Sequence, residues 1–407
     1  MRILYRPLWE GVQIALRDIF SGGFPADKVI QRQLKQNRKW GSHDRRLFAE
    51  SVYDLVRWWR RLLVAADVPW PSEDSWTSGD PEVISRVVEA WCLIQGVEID
   101  HSVTRLGLKL EVVKSRWENP NLTRAERESL PDWMDRWGFE QLGARWDSIL
   151  PILNTQAPVY LRANALRATP QKLVEVLARE KIESELAGKF GVRLKKRANV
   201  FLLAAFKQGL FEVQDLSSQQ VAAELLVEPG QRVIDACAGA GGKALHLAAL
   251  MQGKGKIIAL DIVDKKLEQL RERAVRNGVS CIEARVVDSS KVIKRLGGSA
   301  DRVLIDAPCS GLGVLRRNPD SKWKKTASEM RELEKTQASI LASYSEMCKP
   351  GGFMVYATCS VLPSENERQV HHFLSQNETR WTCEREVMLW PEKDGGDGFY
   401  FARLRRN

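Results

Sequence analysis

Two cysteines sit in runs of the same design. One run, DRVLIDAPCSGLG, delivers Asp306, Pro308 and Cys309; the other, GGFMVYATCSVLPSEN, delivers Thr358 and Cys359. Each contains consecutive apolar residues, the signature of a strand buried on both faces, followed by small, turn-forming ones. In a doubly wound sheet, ligands bind outside the carboxyl ends of the strands. Two thiols delivered there beside a carboxylate would face one cleft, where a thiolate can act as a covalent nucleophile. Free cysteine is more often a small buried hydrophobe. Cys237 also stands at an expected strand end, so position alone does not choose the nucleophile.

A possible cofactor cradle comes earlier in the chain. A strand-like run ends in VIDACAGAGGKALHLAALM, a glycine-rich turn leading into a helix. Cys237, Ala238, Gly239, Ala240, Gly241, Gly242 and Lys243 make that turn. Glycine lets backbone approach a ligand closely, and a helix start offers free N–H groups. The spacing is not the GxGxxG of dinucleotide sites. The next strand ends at Asp261, where a carboxylate suits a ribose diol. The third ends at Asp288, placed either to meet an adenine amino group or to cap the following helix. A glycine turn followed by two strand-end acids, in that order, points to an adenosyl cofactor.

These side chains need a sheet to carry them. Residues 233–237, 256–261, 282–287, 302–306 and 353–358 read as strands, with helices at 242–252, 264–277 and 327–347. The alternation predicts a parallel, doubly wound, Rossmann-like α/β domain over 211–407. Residues 149–210 read as a small α+β module: a strand in APVYLRANALR, a helix over 169–181, and a second strand in NVFLLAAF after the basic run RLKKRA. Residues 1–148 read as helical, with patterns at 7–19, 82–95 and 133–148 and from Ser42 onward. In that last stretch Leu47, Phe48, Val52, Leu55, Val56, Trp59 and Leu62 recur at helical spacing. The tryptophans of this region read as core, because their size makes burial the default.

Composition narrows the partners. The 407 residues carry a formal charge of +10, which favours an anionic partner such as nucleic acid. Seven cysteines at no framework spacing, with no CxxC, suggest reduced thiols in a cytoplasmic enzyme and no metal site. No long apolar run appears and MRILYRPLWEG lacks a signal core, so neither membrane span nor leader is expected.

The runs DACAGAGGK, ALD, VVD, DAPCSGLGVLRRNPD and YATCSVLPSEN closely resemble the motifs of the Nop/Sun family of RNA cytosine-C5 methyltransferases. The resemblance covers most of 211–407. More weakly, the front helices resemble the NusB-like RNA-binding domain of the bacterial 16S rRNA branch, and YLRANALR resembles its linker module. The resemblance implies S-adenosyl-L-methionine (SAM) as cofactor. It implies that Cys359 is the thiolate attacking cytosine carbon 6 and that Cys309 assists product release. Asp306 would hydrogen-bond the cytosine edge and is also counted with the cofactor site, and Lys243 would lie near both ligands. Backbone from Cys237 to Lys243 would cradle the methionine part, Asp261 the ribose and Asp288 the adenine. One departure stands out: the family turn is usually CAAPGGK followed by Thr or Ser, and here Ala240 replaces the proline and Ala244 the hydroxyl. A looser turn and altered cofactor affinity are the expected consequence.

RNA is then the expected partner, small-subunit rRNA before tRNA, of a protein acting as a monomer. Bases inside a duplex are closed to this chemistry, so the target is looped, single-stranded or flipped. Arg316, Arg317, Lys322, Lys324 and Lys325 follow the DAPCS run, with Trp323 among them, and are expected to form a basic rim that clamps phosphates. Arg162 and the RLKKRA cluster are further candidates. Two other readings stay open. One is an RNA-binding assembly factor with a vestigial cofactor site. The other is a dehydrogenase on the same sheet, which would leave the paired cysteines without a role.

Overall fold

The computed structural model describes residues 2–70, 79–392 and 395–407. They form two compact units, one of Met1–Thr155 with Leu315–Ala327, the other of Gln156–Val314 with Ser328–Asn407.

The first unit is helical apart from a short parallel pair, β1 (Ile3–Leu4) with β2 (Glu98–Ile99). Helix Arg6–Phe20 buries Leu8, Val12, Leu16 and Ile19, an apolar stripe at the helical period. The helix expected from Ser42 is two, Ser42–Arg57 and Trp59–Ala65, separated at Trp58. The pattern at 133–148 likewise divides into Asp132–Leu142 and Ala144–Leu153. The break is Gly143, with φ 54° and ψ −134°, a backbone region that only glycine enters freely. Trp59, Trp91 and Trp146 are buried. The segment Leu315–Ala327 belongs to this unit, where Trp323 donates its indole N–H to the Val56 carbonyl at 2.7 Å.

The second unit holds two sheets. The smaller is antiparallel, in the order β4 (Ser184–Ala187), β5 (Gly191–Leu194), β3 (Tyr160–Ala163), β6 (Phe211–Val213). Helix Pro170–Arg179 covers it. The run NVFLLAAF is no strand: it forms a 3-10 turn, Val200–Leu202, and a short helix, Ala204–Lys207. An apolar run does not by itself separate strand from helix, and alanine and leucine favour the latter.

The larger sheet contains β7 (Arg232–Asp235), β8 (Lys256–Asp261), β9 (Ile282–Val286), β10 (Ala300–Asp306), β11 (Cys348–Thr358), β12 (Trp381–Leu389) and β13 (Phe399–Arg406). Their order is β12-β13-β11-β10-β7-β8-β9. β7 to β11 are parallel. β13 runs antiparallel between β11 and β12. The five strands expected from the sequence are parallel, and two further strands, β12 and β13, make the whole sheet a mixed one. Helices Gly242–Leu250, Asp264–Asn277 and Ala327–Ser345 lie between its strands. Among the described residues, no helix is long and apolar enough to cross a membrane.

Side chains lock the small sheet to the larger layer. Glu212 on β6 is buried and pairs with Arg273, at 2.9 Å, and Arg276. Both arginines stand on helix Asp264–Asn277, and Asn277 donates to the same carboxylate. Asn164 donates to the carbonyls of Gly209 at 2.8 Å and Asn277 at 3.0 Å. Removing one partner of a buried ion pair leaves the others desolvated and uncompensated. Glu212→Ala is therefore expected to lower unfolding stability by about 3 kcal/mol, measured by urea denaturation; a change within 0.5 kcal/mol, the ordinary surface value, would contradict the lock.

Candidate active site

Parallel pairing of β10 with β11 sets Asp306 level with Ala357. The chain leaves both strands at the same end, and Cys309 and Cys359 meet just beyond, with sulfurs 3.2 Å apart. The hydrogen bond with Cys359, and then burial, hold the Cys309 thiol well above its usual pKa. Cys309 is accordingly kept a thiol within hydrogen-bond distance of the Cys359 sulfur. Cys237, the third strand-end cysteine, is pushed upward by burial and then by Asp235.

Lys243 reaches this pair from the first turn of helix Gly242–Leu250. Its ammonium donates to Asp306 Oδ2 at 2.6 Å. Burial alone would favour the neutral amine, but Asp306 outweighs it, with a smaller push from Cys359, so the amine is held above its ordinary pKa. Asp235 was not singled out from sequence, although it ends β7 just ahead of the glycine turn. It is fully buried, and burial first, Asp306 second, push its carboxyl up to about 7.

The glycine turn is braced on several sides. Gly241 has φ 84°, and a Cβ there would lie 2.5 Å from Leu270 Cγ, so no larger residue fits. Its N–H donates to Ala238 O at 2.9 Å, and Ala238 N–H donates to Leu260 O at 2.8 Å. Arg273 donates to the carbonyl of Ala240, the residue in the proline position, at 2.7 Å. Ala244 is fully buried. Asp261 is buried at the end of β8 and accepts from Gly239 N–H at 2.9 Å and Val263 N–H at 2.8 Å. Each of its oxygens retains a lone pair for a diol. Asp288 is exposed beyond β9 and accepts from the Ser289 hydroxyl at 3.0 Å. It does not cap the next helix, whose cap position is Ser289. The buried Asp261 carboxylate at the glycine turn fits an adenosyl cofactor.

The expected basic rim is not a rim. Lys322 is buried in the helical unit, where its Nζ donates to the carbonyls of Arg57 at 3.1 Å and Glu128 at 3.3 Å and to Asn154 Oδ1 at 2.6 Å. Burial lowers its pKa well below the usual value. Arg316 is buried too, its carbonyl accepting from the Arg57 guanidinium at 3.2 Å. Lys324 is half-buried and held by Asp320 and the Phe24 carbonyl; Arg317 and Lys325 are half-buried. Arg162 is buried as well: it donates to Gly242 O at 2.7 Å and to Gln214, pinning the small sheet to the glycine turn. Charge in a sequence does not reveal whether a basic side chain finds interior acceptors. Lys195, Lys196 and Arg197 of the RLKKRA run are exposed.

A family model described as 16S rRNA methyltransferase RsmB/F matches residues 222–405, and one for the ferredoxin-like domain of RsmF/B-like methyltransferases matches 130–201. Ribosomal RNA small subunit methyltransferase B of Proteus mirabilis is 33% identical, over 73% of this chain and 69% of its own length. The chain belongs to the RsmB/F methyltransferase family. The same-named protein of Pasteurella multocida is 35% identical over 68% of this chain, which spans 65% of that relative's length. The solved structure of PH0851 superposes with a TM-score of 0.82 and 22% identity, covering 100% of both chains, which shows the shared fold. Within the RsmB/F domain, the match takes in both cysteines, Lys243 and all four strand-end aspartates.

Two outcomes follow for this RsmB/F site and its surroundings. Lys322→Ala strands buried carbonyls, so unfolding stability should fall by about 2 kcal/mol; a change within about 0.5 kcal/mol, the ordinary surface value, would contradict a buried role. Asp235 in the folded protein holds a proton that the unfolded chain has lost between about pH 4 and 7. Its contribution is full below that window and disappears as pH rises through about 7. Asp235→Asn should therefore raise the melting temperature at pH 8 and leave it nearly unchanged at pH 4.5; parallel shifts at both would contradict the assignment.

Proposed function

We propose that this chain transfers a methyl group from SAM to carbon 5 of a cytosine in small-subunit rRNA, through a covalent adduct on Cys359. The observation that carries the reading is the thiol pair at 3.2 Å, beside the Lys243–Asp306 ion pair. The names of the bacterial relatives support rRNA as substrate, and the net charge of +10 suits it. The paired thiols have a place in this chemistry and none in hydride transfer.

Cytosine carbon 5 is a weak nucleophile until something adds at carbon 6. The Cys359 thiolate forms a bond from sulfur to carbon 6, and the electron pair of the carbon 5–carbon 6 double bond becomes enamine-like at carbon 5. Asp306, with Lys243 hydrogen-bonded to it, orients the cytosine edge. SAM, when bound, would supply an electrophilic methyl group to carbon 5 and leave as the neutral thioether; the backbone of 237–243 would hold it, with Asp261 on the ribose and Asp288 near the adenine. Carbon 5 then gives its proton to water, the pair left behind restores the carbon 5–carbon 6 double bond, and the sulfur–carbon bond breaks with its electron pair returning to the Cys359 sulfur. The Cys309 thiol hydrogen is placed to meet the departing Cys359 sulfur, which is how it assists release.

Labelled methyl transfer to small-subunit rRNA and to tRNA tests this reading with wild type and two variants. Cys359→Ala should lose roughly 10⁴-fold or more in rate, as nucleophile deletions do. Cys309→Ala should retain RNA as an adduct that survives a denaturing gel. Full activity in both variants would contradict the two-thiol mechanism, and label on tRNA alone would move the substrate.

A further inference from the structure

The two cysteines stand on loops, and a contact of 3.2 Å between loop sulfurs needs something to set it. The loops touch through the Ser310 and Ser360 hydroxyls at 3.2 Å and through Gly313 N–H to the Cys359 carbonyl at 2.9 Å, and one buried carboxylate grips both. Glu365 ends the 3-10 turn Pro363–Glu365 and is fully buried. Its Oε1 accepts from the backbone N–H of Ser310 at 2.7 Å. Its Oε2 accepts from the hydroxyls of Ser310 and Ser360. Ser310 follows Cys309 and Ser360 follows Cys359, so a single carboxylate grips the residue after each thiol.

The grip is anchored from outside the loops. Gln337, on helix Ala327–Ser345, donates to Glu365 Oε1 at 3.0 Å and to the carbonyl of Pro308, just before Cys309, at 2.9 Å. The Glu365 carbonyl accepts from the Tyr356 hydroxyl on β11 at 2.8 Å. A carboxylate has about four acceptor sites, and four donors fill these two oxygens. Without them, burial of the group would be very costly. The carboxylate also adds to the upward shift of the Cys309 thiol, after the bond with Cys359 and burial.

We propose that Glu365 is a positioning residue that sets the spacing of the two thiols, by clamping the Ser310 and Ser360 loops to each other. Its consequence for catalysis rests on the cysteine chemistry proposed above; its effect on geometry does not.

The test uses the full chain without RNA or cofactor. Diamide oxidises two adjacent thiols to a disulfide and is itself reduced to the hydrazine, so the rate at which a Cys309–Cys359 linked peptide appears reports their spacing. Wild type should form that peptide. Glu365→Ala should form it roughly ten- to a hundredfold more slowly, the scale of an ångström-sized misplacement. Glu365→Gln keeps the length and one acceptor oxygen and should recover most of the rate. If Glu365→Ala does not fold, Ser360→Ala, which removes one hydroxyl from one loop, carries the same comparison with a smaller slowing. In methyl transfer, kcat should fall in step with linkage while KM for RNA holds. A lowered melting temperature with wild-type linkage in the folded variant would overturn the proposal, as would absence of the linked peptide in the wild type. Linkage that slows as expected in a chain that methylates no RNA would uphold the clamp and refute the methylation reading alone.

Discussion

β10 and β11 run side by side in the same direction, with Asp306 hydrogen-bonded level with Ala357. That register decides the chemistry. A slip of one residue would turn every side chain to the opposite face of the sheet, and the two thiols would no longer meet. The flanking pairings hold the register from both sides, β7 against β10 and β13 against β11. The apolar interiors of these strands, Val303 to Ile305 and Met354 to Ala357, are fully buried and keep the layer packed. The strand ends carry the reactive groups, a carboxylate and two thiols.

Charge at this place is arranged rather than merely tolerated. Lys243 is buried, and burial disfavours its ammonium, yet Asp306 at 2.6 Å keeps it charged. A buried charge stays charged only when paired and hydrogen-bonded. The pair in turn spans the glycine turn and β10, so cofactor side and thiol side share one interaction. Asp235, buried behind them, is shifted the opposite way, toward the neutral acid. Cys309 is likewise kept a thiol. A cation and a thiol thus stand beside Cys359, each set by a different physical cause.

The sequence made some of this plain and hid the rest. Asp261, Asp306 and Cys359 could be placed at strand ends because apolar runs followed by small residues mark buried parallel strands. Helix 264–277 was readable to its last residue because its apolar positions keep one period and Gly278 follows it. β12 and β13 were missed: they pair antiparallel at the edge, and charged residues such as Arg385 and Arg405 break the apolar pattern. Lys322 and Arg316 were misread as a surface because composition counts charges without locating their partners. Glu365 lies within the YATCSVLPSEN run, but its role was hidden, since it rests on two serines that precede it by very different distances along the chain. Periodicity reports which face of an element is buried; it does not report which polar groups meet across the fold.

Attack at carbon 6 with methylation at carbon 5 differs from methylation at any other atom of a cytidine in the hydrogen that carbon 5 must give up. The most direct measurement is therefore tritium release from small-subunit rRNA carrying [5-³H]cytidine, followed alongside methyl incorporation from SAM. The account predicts tritium appearing in water in a one-to-one ratio with methyl groups gained, at saturation of the target site. Methyl incorporation without tritium release would place the methyl on another atom and contradict the role given to Cys359.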